Sequence, residues 1–232
     1  MGHQHNPAAL SARPDGASAV APAVAGTHNL EVEAQRDTVL CVPSSPQAGQ
    51  PAPLLVALHG AGGLPEGALS VLQAVADQYA VVVLAPVSRG STWDGIRNGY
   101  GPDVDIINRS LHRAFNTVAV DPKRIGIAGF SDGASYALGL GLANGDLFSH
   151  VIAFSPGFVP FAARVGRPRI FISHGVTDRI LPIDRTSRRV VPTLQQGAYD
   201  VTYLEFDGAH TVPYDIALQA GQWLGWSSLP AG

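Results

Sequence analysis

The stretch Gly129-Phe130-Ser131-Asp132-Gly133 sets a serine between two glycines in a G-x-S-x-G pattern. Arg124 to Ala128 before it is strand-like, and Ser131 to Ala143 reads as a helix rich in small residues. A serine on so sharp a strand-to-helix turn adopts strained backbone, and its hydroxyl stands over the edge of the sheet. Strand and helix pack too closely there for flanking side chains, which calls for glycine. Such a hydroxyl is placed to attack an acyl carbon. It is a weak nucleophile near neutral pH, so it needs a base within hydrogen-bond reach and an acid to orient that base.

On such a turn the expected chain order is Ser, then Asp or Glu, then His. Three histidines follow Ser131: His150, His174 and His210. His210 closes Phe206-Asp-Gly-Ala-His210, just past the last expected strand, at the carboxyl edge where open α/β sheets bind ligands. His150 opens a strand at the opposite edge, and His174 closes a strand ahead of the expected acid. His210 is therefore the candidate base. Asp178, in the loop His174-Gly-Val-Thr-Asp178, is the candidate acid, with Asp207 as the alternative because it lies three residues from His210. A tetrahedral oxyanion needs two backbone N–H donors. One is the amide of Asp132. The other is expected from His59-Gly60-Ala61-Gly62-Gly63, with Ala61 first and Gly62 second. That loop lacks the Lys-Ser/Thr of a phosphate-binding loop. The Asp132 carboxylate, favoured at a helix N-terminus, is expected to point away from the oxyanion toward backbone or solvent. Trp93 could wall an acyl pocket or anchor its loop.

The elements that must position these residues alternate. Leu30–Ala34 and Thr38–Val42 read as two strands joined by a polar turn, forming an antiparallel edge. Pro53–Leu58 and Ala80–Ala85 are continuous apolar runs, as strands buried on both faces are. Leu69, Leu72, Ala76 and Tyr79, and then Ile107, Leu111, Ala114 and Val118, recur at helical spacing. Asp121-Pro122 punctuates the end of the second helix. Strands are expected at Arg124–Ala128, His150–Phe154, Arg169–Ser173 and Asp200–Phe206, and helices at Arg185–Gln196 and Asp215–Leu224. Strands alternating with helices imply a mostly parallel, twisted sheet with helices on both faces.

Of the 232 residues, 46% are hydrophobic and 14% charged, enough apolar surface for a large core. With a net charge of -3 and only 15 Lys plus Arg, no basic field draws in nucleic acid. The one cysteine, Cys41, makes no intrachain disulfide and no zinc site from cysteine pairs, and it reads as a buried, inert thiol. No apolar run approaches the ~20 residues of a membrane helix. The expectation is a cytoplasmic protein, although a secreted one without its signal reads alike. Residues 1 to 28 read as a mobile N-terminal tail with incidental His3 and His5, and residues 29–232 as one catalytic domain.

From Pro53 to Pro213 the chain resembles bacterial carboxylesterases of the phospholipase/carboxylesterase group, close to dienelactone-hydrolase-like and polyhydroxybutyrate-depolymerase-like esterases. The carrying stretches are LHGAGG (58–63), STWDGIRNGYGPDVDII (91–107), RIGIAGFSDGASYAL (124–138), ISHGVTDRILPIDR (172–185) and VTYLEFDGAH (201–210). It departs in having Asp132 after the serine, where relatives carry Gln or Asn, and a serine where dienelactone hydrolases proper use cysteine. The resemblance implies an α/β-hydrolase fold without a large cap domain. It also implies Ser131, Asp178 and His210 as the triad, with Ala61 and Asp132 as oxyanion donors. The expected activity is a serine carboxylesterase acting on small-molecule esters, without metal or organic cofactor, as a monomer or homodimer. Thioester or lysophospholipid hydrolysis, and a binding module that kept the fold without catalysis, are the alternatives. Only 14 residues, Ser155–Pro168, separate two strands where a cap is usually inserted. Gly62, Trp93 and Phe158 are the expected substrate contacts, and short acyl chains the expected substrates.

Overall fold

The structure, a computed structural model, describes residues 6–14, 23–34, 36–44, 50–97 and 99–226. His3, His5 and Gln35, part of the expected turn, lie outside them. Among the described residues, eight strands form one sheet in the order β1-β2-β4-β3-β5-β6-β7-β8. They are β1 (Gly26–Asn29), β2 (Val39–Val42), β3 (Ala52–Leu58), β4 (Val82–Ala85), β5 (Val120–Phe130), β6 (His150–Phe154), β7 (Arg169–Gly175) and β8 (Val201–Phe206). The first two strands pair antiparallel, and β2 runs antiparallel to β4. All other pairs are parallel.

Among the described residues, six α-helices connect or flank these strands: α1 (Pro65–Tyr79), α2 (Asp94–Arg97), α3 (Pro102–Thr117), α4 (Asp132–Ala143), α5 (Ser187–Gln196) and α6 (Tyr214–Leu224). The period-2 alternation of β3 divides the core. Leu54, Val56 and Leu58 join α3, α4 and α5 on one face through Ile107, Leu111, Leu138 and Leu194. Leu55 and Ala57 join α1 and α6 on the other through Leu72, Val75, Ile216 and Ala220. Every residue of β3 is buried, as its unbroken apolar run requires.

Two strands, β1 and β5, differ from the sequence reading by more than two residues at a boundary. The first strand is Gly26–Asn29, not Leu30–Ala34. The Asp37 carboxylate accepts the amides of Glu31 (2.7 Å), Val32 (2.8 Å) and Thr38 (2.7 Å). Those amides are thereby withdrawn from a ladder, and a tight polar turn replaces the strand. Similarly, β5 begins at Val120, and its pairing with β3 jumps from Ala52–Val120 to Leu54–Ile125. The intervening Asp121 accepts from the Lys123 amide at 2.9 Å and from Arg124 Nε at 2.7 Å. The helix before Asp121-Pro122 ends at Thr117, and the pair itself lies in a bulge within β5.

The N-terminal segment requires a correction. Residues 6–14 are not a free tail: Ala8, Leu10 and Ala12 are buried in the main core. Asn144, at the end of α4, accepts from the Leu10 amide at 2.7 Å and donates to the Ala8 carbonyl at 2.8 Å. Asn108 on α3 accepts from the Ala12 amide at 2.9 Å. Alternating small or apolar residues supply the fit, and two asparagines satisfy the backbone. Asn144→Ala should destabilise the fold by about 1–3 kcal/mol, because buried amide and carbonyl groups lose their partner. Denaturant unfolding with hydrogen exchange checks this. Unchanged stability and unchanged protection at residues 8–12 would show that the asparagine does not hold the segment.

Candidate active site

Ser131 joins β5 to α4 with φ 58° and ψ −120°. This positive φ is rare outside glycine and persists only where surrounding structure enforces it. The enforcement is close packing. A Cβ at Gly129 would lie 2.2 Å from the Gly133 carbonyl oxygen, and one at Gly133 would lie 2.3 Å from that of Leu58. No side chain fits at either glycine. The Ser131 amide donates to the Phe154 carbonyl at 3.0 Å, tying the turn to β6.

The structure brings Ser131, His210 and Asp178 together. His210 Nε2 lies 2.9 Å from Ser131 Oγ, and His210 Nδ1 lies 2.6 Å from Asp178 Oδ2. The carboxylate accepts at Nδ1, so the proton sits there and the Nε2 lone pair faces the hydroxyl. Asp178 is buried and accepts the Ile180 and Leu181 amides on Oδ1, both at 2.8 Å. Burial alone would raise its carboxyl pKa. The Leu181 amide, His210 and the Ile180 amide outweigh that and hold it below the usual value. Asp207, the alternative acid, makes no hydrogen bond to His210 among the described residues.

Two features of this region went unread in the sequence. His174 is wholly buried and also reaches Asp178 Oδ2, at 3.1 Å, while its Nε2 lies 2.8 Å from the Leu181 carbonyl. Its Nδ1 lies 2.7 Å from Ser187 Oγ. Burial, the largest influence, lowers the His174 pKa despite the nearby carbonyl and carboxylate. A neutral ring facing two acceptors with Nε2 donates there and accepts the Ser187 hydroxyl at Nδ1. Position in the chain gave no signal of this; only the fold brings α5 against the end of β7. The second feature is Gly175. A Cβ there would meet the carbonyl oxygens of Gly208 at 2.3 Å and Ala209 at 2.4 Å. The Thr177 amide also donates to the Gly208 carbonyl at 3.0 Å. The loop bearing Asp178 and the loop bearing His210 thus lie backbone to backbone.

Asp132 follows Ser131 as the first residue of α4, and Ala61 follows Gly60, where a Cβ would lie 3.4 Å from Ser131 Cβ. Among the described residues the Ala61 and Asp132 amides have no recorded acceptor, whereas the Gly62 amide donates to the Ser91 carbonyl. His59 shapes that loop from within. Its Nε2 accepts from the Ser88 amide at 3.1 Å, so Nδ1 donates to the Gly60 carbonyl at 2.8 Å. The Asp132 carboxylate turns to the Thr92 hydroxyl (2.6 Å), a partner neither backbone nor solvent.

The expected substrate contacts fare differently. Trp93 is fully buried, donates Nε1 to the His59 carbonyl at 2.9 Å and stacks on Tyr136 at 5.3 Å. It anchors its loop, with its one polar atom satisfied inside. Phe158 lies in the 155–168 loop, 44% exposed, and Phe161 is 96% exposed. Neither lines the cavity beside the site, nor does Gly62. His150 sits at the amino end of β6, edge-on to Trp223 and Trp226, and burial followed by Arg169 pushes its pKa down to about 4. Cys41 is buried in β2, its thiol pKa raised chiefly by burial. No group of three or more metal-ligating side chains occurs among the described residues. No described helix is long and apolar enough to cross a membrane.

No family model matches the chain. It is 25% identical over 170 residues to a probable feruloyl esterase C of Aspergillus oryzae, an alignment covering 69% of this chain and 60% of that protein. The chain therefore spans under two thirds of that relative's length. Among solved structures, esterase PE8 superposes with a TM-score of 0.63 at 23% identity, covering 80% of this chain and 98% of that one. The fluorophosphonate-binding serine hydrolase FphF of Staphylococcus aureus superposes with a TM-score of 0.67 at 15% identity, covering 88% and 99%. The chain has the α/β-hydrolase fold. Its sheet is antiparallel only at β2 and parallel from β4 onward, with helices on both faces.

Gly175→Ala should cost about 1–3 kcal/mol in denaturant unfolding, because the added methyl forces the two loops apart. Val176→Ala, at a 41% exposed neighbour, should change stability by less than about 0.5 kcal/mol. Equal stability of the Gly175 variant and the parent would show that the loops can part freely.

Proposed function

We propose that this protein is a serine carboxylesterase that hydrolyses short-chain esters through an acyl-enzyme on Ser131. The observation that carries the reading is the unbroken hydrogen-bonded line from Ser131 Oγ through His210 to the buried Asp178. The esterase names of the Aspergillus relative and of PE8 support ester cleavage.

The residues assign the steps. As Ser131 Oγ attacks the ester carbonyl carbon, its proton passes to His210 Nε2. Negative charge grows on the carbonyl oxygen, and the amides of Ala61 and Asp132 are the donors proposed to hold it. The tetrahedral intermediate collapses, the C–O bond to the alcohol breaks, and His210 returns the proton to the leaving oxygen. Water then attacks the acyl-enzyme by the same route, giving the carboxylic acid and free Ser131. Asp178 fixes the tautomer and stabilises the imidazolium without taking the proton itself. Turning the Asp132 carboxylate aside to Thr92 keeps a like charge from the growing oxyanion.

The preference for short acyl groups rests on the segment 155–168. It contains no helix, and its only regular contact among the described residues is an isolated Gly145–Gly166 bridge. It forms no lid. Burying each methylene is worth about 0.8 kcal/mol, so a long chain gains only where a surface covers it.

Ser131→Ala should abolish measurable ester turnover while keeping the fold, and Asp178→Asn should cost up to about 10⁴ in kcat by favouring the wrong tautomer. Asp207→Asn should cost far less. Steady-state hydrolysis of chromogenic esters checks all three, and a larger loss at Asp207 than at Asp178 would move the acid. In the same assay acetyl to butyryl esters should exceed palmitoyl esters in kcat/KM below the aggregation threshold. A preference for palmitoyl would mean that a long-chain tunnel exists.

A further inference from the structure

A cavity of about 330 Å³ opens beside the oxyanion loop, on the α1 face of the sheet. Its fully buried lining includes Ala57, Ala128 and Phe154, near the carboxyl ends of β3, β5 and β6. Ala61, Gly67 and Val71 are more exposed lining residues, on its solvent side. Gly67 and Val71 stand one turn apart on α1 and so share a face. The cavity reaches the nucleophile turn: Gly60 and Phe130 also line it, and a Cβ at Gly60 would touch Ser131 Cβ at 3.4 Å.

We propose that this cavity receives the apolar acyl group of the ester, with Gly67 and Val71 as its size-setting rim. This rests on the ester-hydrolase reading above. Three observations favour the acyl side. The side chains in the wall are aliphatic or aromatic apart from His59, whose ring nitrogens face Ser88 and Gly60, so no charge is available to a polar chain. The lining includes the loop that carries the Ala61 amide, next to the carbonyl the acyl group bears. It includes nothing from residues 207–213, although a leaving alcohol must take its proton from His210 Nε2. The volume sets the size class. A dry apolar cavity of roughly 150 Å³ suffices to bind benzene, so this one, at about 330 Å³, has room for a ring or a short aliphatic chain.

The test uses the full chain and p-nitrophenyl esters of acetate, butyrate and hexanoate. Each buried methylene is worth about fourfold, so wild-type kcat/KM should rise along the series. Gly67→Leu and Val71→Trp, which narrow the mouth, should lower the hexanoate-to-acetate ratio by about tenfold or more. Gly67 tolerates the change sterically, since a Cβ there meets nothing within 4 Å and its φ is not positive. Phe161→Ala, on the exposed 155–168 loop, should leave the ratio where it is. A parallel series of butyl and hexyl acetates should be discriminated alike by parent and variants. A wild-type ratio in both rim variants, with turnover still dependent on Ser131, overturns the acyl pocket alone. A shift confined to the alcohol series places the alcohol there and overturns it too. Turnover that survives Ser131→Ala brings down the ester-hydrolase reading and this assignment with it.

Discussion

The architecture depends on one steric constraint, the packing of α4 against the end of β3. Gly133 lies so near the Leu58 carbonyl that any side chain would collide, and Gly129 lies as near to Gly133. This closeness gives the chain only a few residues to turn from strand to helix, and Ser131 takes the left-handed backbone at the apex. Strain of this kind costs on the order of 1–3 kcal/mol. It is held by the parallel ladder on both sides, where β5 pairs with β3 and β6 along buried apolar strands. The large core on two faces is what makes the strained backbone of Ser131 tolerable.

The second constraint is electrostatic. Asp178 is a carboxylate without solvent, a costly state unless its oxygens are satisfied. Two amides serve Oδ1, and His210 and His174 both approach Oδ2. The His210 ring is further pinned by Phe130, with ring centroids 4.7 Å apart. On the opposite side of Ser131, His59, Trp93 and Thr92 bind the 59–63 loop and the 88–94 loop to each other and to Asp132. Asp94 and Asp103 complete that brace. Asp103 accepts the Arg89 and Asp94 amides, and Asp94 accepts the Tyr136 hydroxyl. The residues proposed for chemistry are thus few, and a larger polar shell holds them still.

Much of this was legible in the sequence because it follows from periodicity and local chemistry. Apolar runs marked β3, β4 and β6, and the G-x-S-x-G pattern marked the turn. What stayed hidden depends on contacts distant in sequence. Asp37 capturing three amides displaced the first strand. Residues 6–14 looked featureless because Asn108 and Asn144, about a hundred residues away, supply their partners. Trp93 suits either a pocket wall or a loop anchor by sequence, and only the distant His59 carbonyl that its indole N–H meets decides for the anchor. Gly175 and His174 gave no local signal at all, since their meaning lies in which loop and helix meet them.

Intact-mass spectrometry after fluorophosphonate treatment tests whether Ser131 is the covalent nucleophile with His210 as its base. One adduct per chain is expected, mapped by peptide digestion to Ser131. It should be absent in Ser131→Ala and form far more slowly in His210→Ala, where no base takes the serine proton. Stoichiometric labelling of another residue, or undiminished labelling of the Ser131→Ala variant, would contradict it.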